Sequence, residues 1–387
     1  MPDPQIEVRL GVLGGGQLGR MFVHAAQALG FGTAVLDPDP DSPAGLVAHR
    51  HLQAGYDDAA ALDAFAQDCV AITTEFENVP AAALERLART RPVAPSAAAL
   101  AVCQHRGREK AYFAQAGVPC APHALIDSPA ALGAVDPALL PGLLKTASLG
   151  YDGKGQARVD DAAALASAWA ALGRVPCVLE RRLALRHELS VIVARGADGA
   201  VVNLPVQQNL HRDGILAVTQ VPAPDVGPAL QAQAVDAAAA LARELAYVGV
   251  LCVEFFVLDD GRLVANEMAP RPHNSGHHSI DSCDLSQFEL QVRTLAGLPL
   301  PPPRQHSPAV MLNLLGDLWF AGDDPAAART PPWASALALP GVHLHLYGKR
   351  EARRGRKMGH LTVTAADAGQ ARAVALQAAA RLGLPAF

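Results

Sequence analysis

The chain predicts an α/β protein that becomes α+β in its C-terminal parts, and three observations carry that prediction. Residues 6 to 100 alternate short apolar runs with alanine-rich amphipathic stretches, the rhythm of a parallel sheet covered by helices. The stretch GVLGGGQLGRM, residues 11 to 21, sets a glycine turn between the first apolar run and the first helix. Beyond residue 189 the texture shifts to two long apolar hairpins, one turning at Asp198 and Gly199, the other at Asp260.

In order, VRLGVLG is a strand and QLGRMFVHAAQALG a helix with one apolar stripe. FGTAVLD is a second strand, DDAAALDAFAQ a helix, CVAITTEFE a third strand, and PAAALERLART a helix before the short RPVAPS. Ligands of such sheets bind beyond the carboxyl ends of the strands, where the glycine loop, Glu75 and Glu77 fall. A helix ends at Gly117, and Pro119 and Pro122 mark a boundary. A strand ending in Lys145, the segment TASLGYDGKGQARV, a helix over 161–173 and the strand VPCVLERRL then form a compact, glycine-hinged unit suited to a lid. The hairpin HELSVIVARGADGAVVNLPV, a helix over roughly 228–246 and the hairpin VGVLCVEFFVLDDGRLVANEMAP follow. PLPPPRQ reads as a linker-like crossover, and VHLHLY and GHLTVTA as short strands before a closing helix. The expected domains are therefore 1–117, Rossmann-like; 118–188, the lid; and 189–387, which carries the second hairpin and a β-rich closing segment.

Composition narrows the function classes. No apolar run in the 387 residues approaches the length that spans a bilayer, and MPDPQIEVRLGVLG lacks the basic and apolar regions of a signal peptide. The expectation is a cytoplasmic protein with no membrane partner. Six cysteines occur singly, without a C-x-x-C pair, which argues against a disulfide framework or a thiolate zinc site. A net charge of −5 and few aromatic residues give nucleic acid neither a global attraction nor stacking platforms.

The second hairpin is the most informative segment. Glu254 and Glu267 lie on either side of Asp260 at spacings that bring their carboxylates together when the strands pair. Two carboxylates within apolar strands are costly unless something positive compensates them. Magnesium at nucleotide sites takes one or two carboxylates while phosphates and water complete its octahedron. The alternative, a pair of surface acids on a strand edge, fits the apolar flanks VLCVEFFVL and VANEMAP less well. Just beyond, in RPHNSGHH, Arg271, His273 and Asn274 are placed to address an anion near that metal. A rival assignment makes His273, His277 and His278 zinc ligands, although their spacing is not that of a helical H-x-x-x-H pair. GYDGKGQ, residues 150–156, is either a tight surface turn or a backbone cradle for phosphate with Lys154 adding charge; Lys145 favours the cradle. The basic run YGKREARRGRKMGH, when not simply a solvated face, offers Lys349 and Arg356 to a single phosphate. The glycine loop, with Asp37 ending the next strand, also matches a dinucleotide fingerprint, so the first domain alone would suit an NAD-binding dehydrogenase or sensor.

Together these features resemble the ATP-grasp superfamily and, within it, the 5-(carboxyamino)imidazole ribonucleotide synthase family of purine biosynthesis. The resemblance runs through GGGQLGRM, TEFENV, REK at 108–110, GYDGKGQ, NLHRDGIL, VGVLCVEFF, NEMAPRPHNSGHHSI, SQFELQVR and GRKMGH, in that order along nearly the whole chain. It implies an ATP-grasp fold: an N-terminal Rossmann-like parallel-sheet domain, a small lid domain and a larger C-terminal domain. It also implies ATP and Mg2+, with bicarbonate phosphorylated to carboxyphosphate and the exocyclic amine of aminoimidazole ribonucleotide carboxylated. By the same resemblance, Arg106, Lys145 and the segment Gly150, Tyr151, Asp152, Gly153, Lys154, Gly155 and Gln156 hold the ATP phosphates. Glu180, Arg181, Arg182 and Leu183 meet adenine, largely through backbone groups. Glu188 takes the ribose hydroxyls, and His211 lies at the nucleotide. Glu254 and Glu267 bind the metal with Asn266 beside them. Arg271, His273 and Asn274, with Tyr151, Asp152 and Lys154 from the lid, surround the carboxyphosphate; His273 or the released phosphate deprotonates the amine. Lys349 and Arg356 grip the ribonucleotide phosphate, and Gly14, Gly16, Gln17, Leu18 and Glu75 complete the substrate pocket. Family members are commonly homodimers. The chain departs from the family at Leu149, His105 and the ERRL hinge, and none of these removes a charge that the chemistry needs. A formate-using glycinamide ribonucleotide transformylase would share the metal and lid residues.

Overall fold

A computed structural model describes residues 8–148, 150, 155–320 and 328–387. The first apolar runs pair in parallel because each is buried on both faces. Arg9–Leu13 (β1) leads into Gln17–Ala28 (α1), then Gly32–Leu36 (β2), Arg50–Leu52 (β3), Ala59–Asp68 (α2) and Ala71–Thr74 (β4). The sheet order is β3-β2-β1-β4, all parallel. Ala81–Ala88 (α3), Ala97–Cys103 (α4) and Arg106–Gln115 (α5) follow. Asp58 caps α2 and Ser96 caps α4 by accepting hydrogen bonds from first-turn amides. His105 does the same for α5, its Nδ1 accepting from the Arg108 N–H at 3.3 Å.

The second unit is a four-stranded antiparallel sheet in the order β5-β8-β6-β7. It comprises His123–Ile126 (β5), Pro129–Gly133 (α6), Gly142–Thr146 (β6), Gln156–Val159 (β7), Ala162–Ala171 (α7) and Cys177–Arg181 (β8). Its small core gathers Ile126, Leu144, Val159, Leu165, Trp169 and Leu179.

The remaining strands join one mixed-length sheet rather than two. They are Leu185–Arg195 (β9), Val201–Asn203 (β10), Gln207–Arg212 (β11), Ile215–Val221 (β12), Gly249–Leu258 (β13) and Leu263–Ala269 (β14), with Pro228–Glu244 (α8) between β12 and β13. Ser279–Ser282 (α9) and Gln287–Ala296 (α10) precede Ala309–Leu315 (β15), Trp333–Leu337 (α11), Val342–Leu346 (β16), Lys357–Thr364 (β17) and Ala368–Leu382 (α12). Among the described residues the order is β14-β13-β9-β11-β12-β15-β17-β16, with β10 on β9. Helix α8 packs on β9 and β13 through Ala234, Ala238, Leu241 and Ala242; α12 covers β15 and β17 through Ala371, Ala375 and Ala378. Small alanines allow these helices to lie close to the sheet. No helix among the described residues is long and apolar enough to cross a membrane.

Charge adds to the apolar contacts that join the units, among them Val292 and Leu295 packed with Leu10, Val12 and Phe22. Lys110, on α5 and fully buried, donates to the Asn266 carbonyl of β14 at 2.7 Å and lies 3.1 Å from Glu180 on β8. Lys145 on β6 bonds the other Glu180 oxygen at 2.8 Å. Burial alone would raise the Glu180 carboxyl, but the charges of Lys145 and Lys110 outweigh it and hold the group at about 2. A carboxylate depressed from 4.5 to about 2 contributes stability that is complete above pH 4.5 and is lost as pH falls through 2. Glu180→Gln leaves two lysines facing a neutral amide, and the expected loss in unfolding free energy is roughly 3 kcal/mol. Urea titrations across pH should find that deficit at neutral pH and narrowing below pH 4.5; a pH-independent deficit contradicts the assignment.

Candidate active site

A cavity of about 350 Å3 opens where the end of β4 and the start of α1 face the β13–β14 hairpin. Glu75, Glu77, Arg106, Glu109, Glu254, Glu267, Arg271, His273, Asn274, Gln17, Leu18, Gly150 and Lys357 line it. The hairpin register sets Glu254 opposite Glu267, and a bulge follows Glu254. Burial and the charge of Glu267 raise the Glu254 carboxyl. Burial acts the same way on Glu267, but Arg106 and Lys145 overcome it and leave Glu267 lowered. The pair therefore holds one proton and one charge close together, a poor arrangement without a cation and a good one with it. Asn266 Oδ1, beside them, is buried without a partner among the described residues. Hard oxygen donors of this kind fit Mg2+.

Arg106 begins α5 and reaches both the residues just after β6 and the strand β14. Its backbone amide donates to the Ala147 carbonyl at 2.8 Å, Nη1 to Glu267 at 2.7 Å and Nη2 to the Gly150 carbonyl at 3.4 Å. Across the cavity Arg271 Nε pairs closely with Glu77. Burial and the Arg271 charge lower the pKa of His273 to about 3, so the imidazole is neutral. Its Nδ1 meets Ser275 Oγ at 2.9 Å and its Nε2 lies 3.5 Å from Glu254. Gln287 clamps the His273 backbone from both sides, accepting from its N–H and donating to its carbonyl at 2.8 Å each. Asn274 is buried with both amide atoms unpartnered among the described residues. An unfilled amide beside an arginine and a neutral histidine suits an oxyanion.

Other expected site residues are distributed differently. Glu188 and His211 meet at 2.5 Å and line a neighbouring cavity of about 250 Å3 between β9, β11 and β12. Burial lowers the His211 pKa, but the Glu188 hydrogen bond and nearby carboxylates reverse it to a net rise. Lys145 and Glu180 pair with each other, while Gln156 opens β7 opposite Lys145 and Gly155 takes φ +70°. The amides of Arg181 and Arg182 donate to the Pro122 and Pro141 carbonyls, and Leu183 lies between β8 and β9. Lys349 donates to the Lys357 carbonyl at 2.6 Å and Arg356 to the Glu351 carbonyl at 2.8 Å; from this segment it is Lys357 that lines the cavity. Tyr151, Asp152, Gly153 and Lys154, with Leu149, lie outside the described residues. Glu77, Glu109, Lys110 and Lys357 are additions that sequence reasoning left without a role; the first three act through partners far along the chain, Arg271, the Met268 amide and Glu180.

The glycine loop is occupied from within. Gly16 N–H donates to Glu75 Oε1 at 2.5 Å and Gly19 N–H to Glu75 Oε2 at 2.7 Å, while Gly15 N–H donates to Asp37 at 2.7 Å. Gly14 has φ +105°, and a Cβ there would sit 2.3 Å from Glu75 Cγ. The helix N-terminus, an ordinary anion site, is thus filled by the protein's own carboxylate, which leaves no place for a dinucleotide pyrophosphate. The three histidines weighed as zinc ligands do not converge either: His273, His277 and His278 bond through Nδ1 to Ser275, Gln287 and Ser282 respectively.

Comparison with known proteins gives three adjoining family matches. Residues 8–104 match a ribonucleotide synthetase preATP-grasp domain, residues 111–288 an ATP-grasp domain, and residues 309–374 a phosphoribosylaminoimidazole carboxylase C-terminal domain. The N5-carboxyaminoimidazole ribonucleotide synthase of Brucella melitensis is 44% identical over 363 residues, 91% of this chain and 95% of that one. That of Bacillus subtilis is 40% identical over 355 residues, 91% and 90%. An N5-carboxyaminoimidazole ribonucleotide synthetase solved as its ADP complex superposes with a TM-score of 0.88 at 36% identity, covering 96% of each chain. The Aspergillus clavatus N5-carboxyaminoimidazole synthase solved with ADP and 5-aminoimidazole ribonucleotide gives 0.88 at 32% identity, covering 98% of this chain and 99% of that one.

Glu75→Gln keeps the shape but turns an NH2 group toward one glycine amide. The expected loss is roughly 1–3 kcal/mol of unfolding free energy, the cost of one buried unmatched polar contact. Denaturant melts unchanged from wild type contradict the loop assignment.

Proposed function

The chain belongs to the N5-carboxyaminoimidazole ribonucleotide synthase family of ATP-grasp ligases, and from that membership we propose how its residues divide the work. The enzyme carboxylates 5-aminoimidazole ribonucleotide in an ATP-dependent reaction of purine biosynthesis, with bicarbonate as the carboxyl source. Bicarbonate is a poor electrophile; phosphorylation turns one oxygen into a leaving group, and carboxyphosphate then needs shelter from water.

The observation that carries the assignment of roles is the opposed pair Glu254 and Glu267, the latter salt-bridged to Arg106, facing the corner made by Arg271, His273 and Asn274. Glu254 and Glu267 would hold Mg2+ with Asn266 near, and the ion when bound would neutralise charge on the transferring phosphoryl group. Arg106, together with Lys145 and residues 150–156, holds the ATP phosphates; residues 180–183 meet the base. Glu188 and His211, already hydrogen-bonded to one another, receive the ribose. Arg271 and the unpartnered Asn274 amide bind the carboxyphosphate oxygens. With its pKa lowered to about 3, neutral His273 is the weaker of the two amine bases considered, which favours the released phosphate as the proton acceptor and leaves His273 a positioning contact. Gln17, Leu18, Glu75 and Lys357 face the ribonucleotide from the cavity wall, and Lys349 and Arg356, beyond that wall, would turn to its phosphate. Tyr151, Asp152 and Lys154 complete the carboxyphosphate enclosure from the lid. A cytoplasmic homodimer is the assembly that goes with this assignment.

ADP release in the presence of bicarbonate and Mg2+ should be stimulated by aminoimidazole ribonucleotide, and folded enzyme without that stimulation contradicts the function. Glu267→Gln should lower the rate roughly 100-fold or more, beyond the loss typical of a supporting residue, while circular dichroism shows an intact fold; wild-type turnover contradicts the metal assignment. Because the Glu254 carboxyl is raised, Mg2+ binding must release its proton. Apparent Mg2+ affinity should therefore strengthen as pH rises through the neutral range and level off once Glu254 ionises. Affinity independent of pH there contradicts the shared-proton description.

A further inference from the structure

Behind the wall of the substrate cavity lies a second group of ligating side chains that the reaction above does not use. His345 on β16 and His360 on β17 are directly opposed in the strand register, and their rings stack at 4.5 Å between centroids with 14° between planes. Asp281, on α9, reaches across so that its Oδ2 lies 2.8 Å from His345 Nε2. One ligand atom from each of the three lies within 4.8 Å of the others. His360 is fully buried, its Nδ1 is fixed by the Tyr347 hydroxyl at 3.0 Å, and its Nε2 has no partner among the described residues.

We propose that Asp281, His345 and His360 form a binding site for a divalent transition-metal ion of the zinc class, separate from the Mg2+ site. Two imidazoles and one carboxylate are the donor set that such ions take, and one that Mg2+ does not favour. The Tyr347 hydroxyl bond to His360 supplies the orienting contact that metal-bound imidazoles usually have on the other ring nitrogen. Zinc ligands about 2.0 Å from the ion stand about 3.3 Å apart, so the widest pair must close by at most roughly 1.5 Å. Rotation of Asp281 and His345, both only part-buried, can supply that movement. The half-exposed His343, 3.8 Å from Asp281, marks the route from solvent. An ion here would pin β16 and β17, which flank the Lys349–Lys357 segment, to the turn that follows Asn274. His277 lines the substrate cavity and packs on His360 at 4.8 Å, so the two sites share a wall.

The test is equilibrium dialysis of the full chain against zinc in a large excess of Mg2+, with Co2+ as a spectroscopic substitute. One equivalent of zinc should be retained, it should persist in Glu267→Gln, and bound Co2+ should give visible d–d bands. His345→Gln and Asp281→Asn should each weaken binding by roughly 10–100-fold or more. The second variant serves if the first fails to fold, as judged by circular dichroism. Zinc lost to Mg2+, zinc lost in Glu267→Gln, equal binding by a folded ligand variant, or no binding at all overturns the proposal. In those cases Asp281 and His345 are only a hydrogen bond between α9 and β16.

Discussion

Everything in this molecule depends on enclosing like charges. Glu77, Glu109, Glu180, Glu254 and Glu267 are drawn into or beside one cavity, and each would be forced to neutralise without a cation from another element. The cations come from far away along the chain: Arg106 is 161 residues from Glu267, and Glu77 is 194 residues from Arg271. Each pair therefore reinforces a join that apolar packing also makes, as where Val292 and Leu295 pack among Leu10, Val12 and Phe22, and Phe288 against Leu18 and Met21. Apolar packing brings the units together, and the ion pairs fix the charged groups that face one another across the joins. Where the compensation is complete, as at Glu180 between Lys110 and Lys145, the carboxylate is held ionised and the elements that carry it are fixed. Where it is incomplete, as at Glu254 and Asn274, the result is a place for ligands.

Much of this was legible from residue order. The hairpin turn at Asp260 brings Glu254 and Glu267 close together, although counting outward from the turn alone would set Glu254 opposite Asn266; the bulge after Glu254 places it opposite Glu267. The parallel sheet follows from alternating apolar runs, and Gly199 takes the positive φ that its turn requires. The strand Ala309–Leu315 was not legible: AVMLNLL is apolar except for Asn313 and lacks the alternation that separates strand from helix. It is central in the large sheet, flanked by β12 and β17, so it is buried on both faces. The partners of Arg271 and Lys110 were equally hidden, since nothing local links them to Glu77 and Glu180.

The glycine loop shows why a motif and its occupant must be separated. Its geometry is that of a nucleotide-binding turn, with amides converging at a helix N-terminus. Those amides are taken by Glu75, which itself faces the cavity. The loop thus presents a carboxylate to the substrate side rather than receiving a phosphate. His105 illustrates the converse: a residue that departs from its family caps α5 much as a carboxylate would.

The central claim is that these compensated charges position ATP to phosphorylate bicarbonate. Turnover with 18O-labelled bicarbonate tests it most directly, because the attacking oxygen stays on phosphorus when the carboxyl group leaves. The account predicts that each phosphate released in ribonucleotide-dependent turnover carries one 18O atom. Phosphate without the label would mean that water or the ribonucleotide, not bicarbonate, attacks ATP, and would contradict the account.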